Sequence, residues 1–490
     1  MLRYDAAIIG AGADGLAAAI TLARSGLKVI VLERNEKPGG RCITREFHPG
    51  FHASPFCDEV PPIPAEIFWA LDLARHGAVF IPSLVSTALW PDRARSIRSD
   101  QNREQEQAAA VTKAALARAG ADAAFQKRSP FWRAHPLSDS WPGETWATQS
   151  LADVLVSDAG DDDALALAMA RALEGRLAHP DLAGTALHLL ALACSGQAVG
   201  GLQSLTESLL SVLQSAGSEI LCGLEVTDIL RRDGRTSGLR LADGTEIAAR
   251  AVISTLDLKR TFLSLFAWND LPAETSRRVA SFRMNGSTAR LLFALDGLPE
   301  RPAFVDIDLF AGPIHIAPST TGFGPAYAAW RGGTVAEHPP ITLRFTSVRD
   351  PRLCPAGTAT LTATVGAVPA RLFNGAWTHE KRDALSEQVL DAIESVLPGT
   401  GARVRASELI VPPDIEQALG CTDGDLWGGE IAPDQMLALR PWLDSVAPRT
   451  SIDGLYLAGR STAAGVLGTC VSGVFAAQAV MADLKAGHLK

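Results

Sequence analysis

The sequence predicts an α/β chain: a parallel sheet with helices packed on it, assembled from both ends of the polypeptide, with a second, α+β domain carried between them. Three observations point there. The chain opens on an apolar strand, a glycine-spaced turn and an Ala-rich helix, "DAAIIGAGADGLAAAITLARSGLKVIVLE". A strand, turn and helix of the same kind stand near the other end, "GLYLAGRSTAAGVLGTCVSGVFAAQAV" (Gly454–Val480). Between them, helical stretches such as "ALALAMARALEG" give way to strands alternating at period two, "ARLLFALDG", "ITLRFTSV" and "TATLTATVGAV".

The first turn reads residue by residue. "AAIIG" is a wholly apolar run, as expected of a parallel strand buried on both faces. Gly10, Gly12 and Gly15 form GxGxxG. Gly10 permits the tight turn, Gly12 lets a pyrophosphate approach the backbone, and Gly15 lets helix and strand pack closely. Ala13 and Asp14 share that turn, where free N–H groups and the helix dipole favour an anion. Glu33 ends the next strand, "KVIVLE", with Arg34 after it. A carboxylate there binds ribose hydroxyls and repels a 2′-phosphate, leaving FAD or NAD. Gly39, Gly40 and Arg41, in "NEKPGGRC", extend the fingerprint in the manner of large flavoproteins and favour FAD.

From "GGRCITREFHPGFHASP" onward the chain resembles the phytoene desaturase-like FAD-dependent oxidoreductases, in the branch of the pyridine nucleotide-disulphide oxidoreductase domain-containing protein and bacterial relatives. Gly200–Thr255, "GSTARLLFALDGLP" and "GDLWGGEIAPDQMLALRP" carry the resemblance further. It implies a Rossmann-type FAD-binding domain with a discontinuous α+β substrate domain, the amine oxidase and phytoene desaturase architecture. It also implies Val226 beside the adenine and Thr255 near the pyrophosphate. By the residues alone Val226 reads as a plain core valine. Read directly, the turns "DGR" and "ADG" in Gly200–Thr255 predict strand hairpins.

A second bound nucleotide would bring a second GxGxxG and its acid, and the spacing after Gly459 provides neither. One FAD held from both ends is expected instead. Gly459 and Arg460 would pass its ribityl and phosphates. A helix beginning near Leu467, Gly468 and Thr469 would face the pyrimidine side of the ring, where an N-terminus stabilises negative charge by ~0.3–2 kcal/mol. The resemblance also shows departures: Gly428 replaces a family histidine, and Ala463-Ala464 replace His-Pro.

Candidate pocket residues are His52, Trp427 and Arg440. Each has a structural alternative: a hydrogen-bonded histidine, a core tryptophan, an internal ion pair. Asp425 and Glu430 read as solvated loop carboxylates by default, and Cys470 as a buried thiol rather than a flavin-linked one. Trp132, Trp141 and Trp146 mark either an aromatic ligand surface or helix packing. No metal site is expected.

The expected pieces are residues 1–100, 195–263 and 411–490 for the FAD-binding domain, and 101–194 (helical) and 264–410 (strand-rich) for the substrate domain. At 490 residues and net charge −9, with 47% hydrophobic residues, the chain is globular and no nucleic-acid binder is expected. Seven dispersed cysteines and no cationic stretch before Asp5 predict a cytoplasmic protein. A mean hydropathy of +0.11 leaves peripheral membrane contact open, as a homodimer is open. The expected function is hydride removal from a largely apolar or cyclic small metabolite by a desaturase, dehydrogenase or oxidase, with dioxygen or a quinone as electron acceptor. Alternatives are a flavin amine oxidase, although the chain has only three tyrosines for an aromatic cage, a redox-neutral isomerase, and a flavin-bearing interaction protein without turnover.

Overall fold

A computed structural model describes residues 3–83, 85–98, 146–192, 196–267, 269–305, 308–436, 439–441 and 448–489. The first strand, Arg3–Ile9, pairs in parallel with Val29–Leu32 on one side and Glu246–Ser254 on the other. Val29–Leu32 pairs in parallel with Glu219–Leu221. Leu455–Leu457 joins Glu246–Ser254, also in parallel. These short runs are apolar because helices cover them; Val29–Leu32 and Leu455–Leu457 are buried throughout. The antiparallel hairpins Val226–Arg232, Arg235–Leu241 and Glu246–Ser254 follow the turns read from "DGR" and "ADG" and complete a seven-stranded sheet.

Helix Ala13–Arg24 covers this sheet with Gln203–Ser215 and the final helix, Val471–Lys485. Its Ala-rich face is wholly buried from Leu16 to Ile20. The close approach is set at Gly473, where an added Cβ would stand 1.8 Å from the Asp14 carbonyl oxygen.

A second seven-stranded sheet holds Thr288–Leu295 between Val404–Ile410 and Ala359–Gly366, followed by Ile341–Arg344 and Ile314–Ile316. Its period-two alternation is real, but neither face is solvated: Thr288–Leu295 and Ala359–Gly366 are buried at every position. Leu291, Phe293 and Leu295 enter an apolar core under helix His379–Val396. Arg290 on the alternate face, with Thr362 and Thr364 of the neighbouring strand, is buried against a polar cavity described below. The hairpin Val85–Leu89 and Ala94–Arg98 belongs to this sheet, paired in parallel to Ile314–Ile316. That corrects the expectation that residues 1–100 all join the first domain. Its first strand, Val85–Leu89, lies between Ile314–Ile316 and Ala94–Arg98 there.

Helices Leu151–Ala159 and Asp162–Ala172 start on Ser150 and Asp161, whose side chains accept from Asp153 and Ala164 amides. Trp146 is 4% exposed and packs with Leu151, Leu187 and Leu467, which favours the helix-packing reading for that residue. Trp132 and Trp141 lie outside the described residues. No helix among the described residues is long and apolar enough to cross a membrane.

Replacing Gly473 by Ala should lower the free energy of unfolding by at least ~2 kcal/mol, since a close-packed helix pair cannot absorb a Cβ without moving apart. Urea denaturation of both proteins measures it, and an unchanged midpoint would contradict the packing described.

Candidate active site

The two glycine turns meet at one cavity of about 260 Å³. Gly10, Gly12, Ala13, Asp14 and Gly15 line it from the first turn, Glu33 and Arg34 from the second strand, and Gly40 and Arg41 from the following loop. Val226 and Thr255 line it from the hairpin sheet, and Gly459, Arg460 and Thr469 from the far end of the chain. Parallel pairing explains the convergence, because strands running the same way release their turns at the same edge of the sheet. Thr255 is fixed there by its amide and hydroxyl, both donating to the Ile9 carbonyl at 3.0 and 2.8 Å.

The wall is shaped for a phosphate-bearing ligand. An added Cβ on Gly12 would meet nothing within 4 Å, so this backbone faces open space at the start of an uncapped helix. Asp14 Oδ1 and Arg460 Nη1 are buried and make no hydrogen bond within the described structure. Burial and the neighbouring Arg41 guanidinium together depress the Arg460 pKa well below its ordinary value. An anionic ligand between them would relieve that repulsion. Glu33, 7% exposed, accepts from the Ala11 amide at 2.8 Å and the Asn35 amide at 2.9 Å. Both carboxylate oxygens are thereby fixed, each with a lone pair remaining. Arg34 lines the cavity but spends its Nη2 on the Gln417 and Ala418 carbonyls at the end of helix Pro412–Leu419.

Several sequence expectations change. Leu467 lines a second cavity, Gly468 lines neither, and the last helix begins only at Val471 after a short turn of helix Ala463–Leu467. His52 sits in strand Phe51–Ala53 and lines neither cavity. Cys470, fully buried, also lines neither. Arg440 is 1% exposed and donates to the carbonyls of Trp427, Gly428, Glu430, Gln435 and Arg460. It is a structural hub rather than a substrate ligand: the N–H groups it could offer an anion already donate to the protein's own carbonyls. Asp425 is buried, not solvated, and lines the first cavity; Glu430 pairs with Arg283.

The second cavity, about 170 Å³, opens off the first at Arg41, Val60, Leu426 and Arg460. Trp427 stands on its wall, with its indole N–H donating to the Gly175 carbonyl at 2.6 Å. The Arg176 and Arg460 guanidinium carbons each lie 4.7 Å from the same indole. Opposite are buried ion pairs that sequence reading missed. Arg290 donates to Asp58 at 2.8 Å, and Arg344 forms a two-toothed bond with Glu174 and lies 3.6 Å from Glu59. A lone Arg in the apolar run "TARLLFAL" was the available signal. Burial works against the Glu174 carboxylate, yet Arg344 holds its pKa down to about 2. Burial keeps His315 neutral, with a pKa down to about 3. No metal-binding cluster occurs among the described residues.

Burial raises the Asp425 pKa to about 6, against the opposing pull of the Trp427 and Asn285 amides and of Arg440. A native state that holds this proton more tightly than the unfolded chain is stabilised most below the ordinary carboxylate pKa, and the contribution is lost as pH rises through 6. The stability of the parent relative to Asp425→Asn should therefore fall by on the order of 3 kcal/mol between pH 4 and 7. Denaturation of both apoproteins across that range measures it, and a flat difference would refute the burial of this acid.

Comparison with known proteins gives the same architecture. Residues 15–481 match the family model described as flavin containing amine oxidoreductase. The mouse pyridine nucleotide-disulfide oxidoreductase domain-containing protein 2 is 27% identical, over 99% of this chain and 94% of its own. A neurosporene-forming phytoene desaturase of Rhodobacter capsulatus is 26% identical, over 97% of this chain and 93% of its own. A solved oxidoreductase from Methanosarcina mazei superposes with a TM-score of 0.60 at 16% identity, covering 99% of this chain and 100% of that one. The phosphate-shaped cavity and the matching family converge on FAD as the cofactor, and the chain belongs to the flavin-containing amine oxidoreductases.

Proposed function

We propose that this FAD-dependent oxidoreductase takes a hydride from a small metabolite held in the second cavity, as a desaturase, dehydrogenase or oxidase. The junction of the two cavities at Arg41, Val60, Leu426 and Arg460 carries this reading. Gly12, the first turn of helix Ala13–Arg24, Arg41 and Arg460 would hold the pyrophosphate. Glu33 would hold the ribose, with Val226 by the adenine and Thr469 at the ring end. FAD, when bound, supplies a two-electron acceptor. Dioxygen or a quinone is the expected final acceptor.

The chain's own work is positioning and exclusion of water. Phe56, Leu190, Trp427, Val466 and Leu467 give the second cavity apolar walls suited to a cyclic or apolar body. Two lining groups that could move a proton are held in one state: His315 neutral, between Ser86 and Thr342, and Glu174 ionised on Arg344. Orientation of a C–H bond therefore contributes more than general-base assistance. Amine oxidation is the weaker reading, because no tyrosine stands on the wall of either cavity among the described residues. Tyr4 and Tyr456 bond instead to Glu219 and Asp483, away from both cavities. A cytoplasmic setting belongs to the same reading and rests on the dispersed free thiols.

Gly12→Ala places a methyl group where open space now lies, so it should weaken FAD binding at least tenfold while shifting apoprotein stability by no more than about 1 kcal/mol. Fluorescence titration of apoprotein with FAD separates the two effects; undiminished affinity would remove Gly12 from the phosphate site. Metabolites that fit the second cavity should bleach the bound flavin under anaerobic conditions, and air should restore the colour. Bulky blocking at its wall, Leu467→Trp, should abolish bleaching without releasing FAD. Persistence of bleaching in that variant would place the substrate elsewhere.

A further inference from the structure

The second sheet sends a chain of three hydrogen-bonding side chains toward the second cavity. Thr342 and His315 stand directly opposite each other on neighbouring strands, and the Thr342 hydroxyl lies 2.9 Å from His315 Nδ1. On the other side of the ring, His315 Nε2 lies 3.1 Å from the Ser86 hydroxyl. Ser86 and His315 line the cavity, and Thr342 does not.

The direction of these bonds follows from counting protons. His315 is 1% exposed and held neutral by its burial, so one ring nitrogen donates and the other accepts. Thr342 is 5% exposed, and among the described residues its hydroxyl has no partner but His315. A buried donor left without an acceptor is costly, so the Thr342 proton points at Nδ1. Nε2 then carries the ring proton and donates to Ser86. The Ser86 hydroxyl thus spends a lone pair on the protein and keeps its own proton for the space it faces.

We propose that the substrate bears an uncharged acceptor oxygen, a ketone carbonyl or a hydroxyl, and that Ser86 donates to it. This rests on the preceding assignment of the second cavity to substrate. The apolar wall of Phe56, Leu190, Trp427, Val466 and Leu467 takes the body of such a molecule, and a single placed donor fixes which end enters. Two guanidinium groups on the same wall are already paired, Arg290 with Asp58 and Arg344 with Glu174. The donor is rigid as well as directed. Strand Val85–Leu89 is hydrogen-bonded on both edges, and a Cβ on Gly312 would stand 1.9 Å from the Val85 carbonyl oxygen. Ser86 is therefore a specificity-determining residue, and Thr342 a positioning residue that acts on it through the His315 tautomer. A site built around such a donor rejects a hydrocarbon of the same shape.

Cyclohexanone and methylenecyclohexane, which differ in having C=O or C=CH2 at one position, test this with the purified full chain. Headspace gas chromatography over the protein solution measures the free concentration of either. Ser86→Ala should weaken cyclohexanone binding by about fivefold, the worth of one neutral hydrogen bond, and leave methylenecyclohexane unchanged. Ser86→Thr, which keeps the hydroxyl, should restore the ketone. Thr342→Val frees the ring proton to move to Nδ1 and should weaken the ketone alone. In the infrared, the carbonyl stretch of bound cyclohexanone should lie at lower wavenumber than in hexane, and Ser86→Ala should reverse that shift. A stretch at the hexane value in the parent, a lowered stretch that persists in Ser86→Ala, or equal losses of ketone and alkene would overturn the proposal. If Ser86→Ala fails to fold, the parent spectrum and Thr342→Val still decide. Leu467→Trp separates the two readings. Loss of both ligands there, with no response to Ser86→Ala, would keep the cavity assignment and remove the donor; retention of both would overturn the assignment and the proposal with it.

Discussion

The crossing of the first and last helices is the contact on which the rest of the molecule depends. Gly473 lies against the Asp14 carbonyl, at a distance no side chain could occupy. Through it, turns at opposite ends of the chain open onto the same space. The Gly459 amide is tied to the Ser472 hydroxyl at 2.7 Å, so the C-terminal turn is held by the helix that packs on the N-terminal one. Without that contact there would be two half-sites, neither able to enclose a dinucleotide.

The second sheet solves a different problem. A sheet that must both seal a core and line a polar chamber needs one apolar and one polar face, with neither in water. Strand Thr288–Leu295 does this by alternation: Leu291, Phe293 and Leu295 go to the core, and Arg290 goes to the chamber with Asp58 and Thr364 as partners. Buried ion pairs are costly unless well satisfied. Here the satisfaction is dense, with the Asp58 carboxylate also accepting from Thr362 at 3.0 Å.

Between the two sheets, Arg440 keeps the loop carrying Trp427 and Gly428 against the loop carrying Arg460. A guanidinium shared among six carbonyls joins two segments that have no regular structure to hold them. Burial lowers its pKa to about 10, which still leaves it charged at neutral pH. The positions of the cavity junction and of Trp427 follow from it, though Arg440 touches neither cavity.

The sequence by itself determined the glycine turn, the acid at Glu33, the hairpins after Val226 and the closing of both chain ends on one cavity. These are local: glycine spacing, apolar runs and turn residues act within a few positions of one another. It could not decide which side chains meet across the fold. Arg440 and Arg290 are both arginines in apolar surroundings, yet one became a carbonyl hub and the other a wall of the chamber. His52, only a few residues from the flavin loop, turned away with its strand, and the hairpin after Val85 left the first domain for a partner edge in the second sheet. The wall of a cavity gathers residues far apart in sequence, so only the tertiary structure could show that Arg290, Arg344, Asp58 and Glu174 share one chamber.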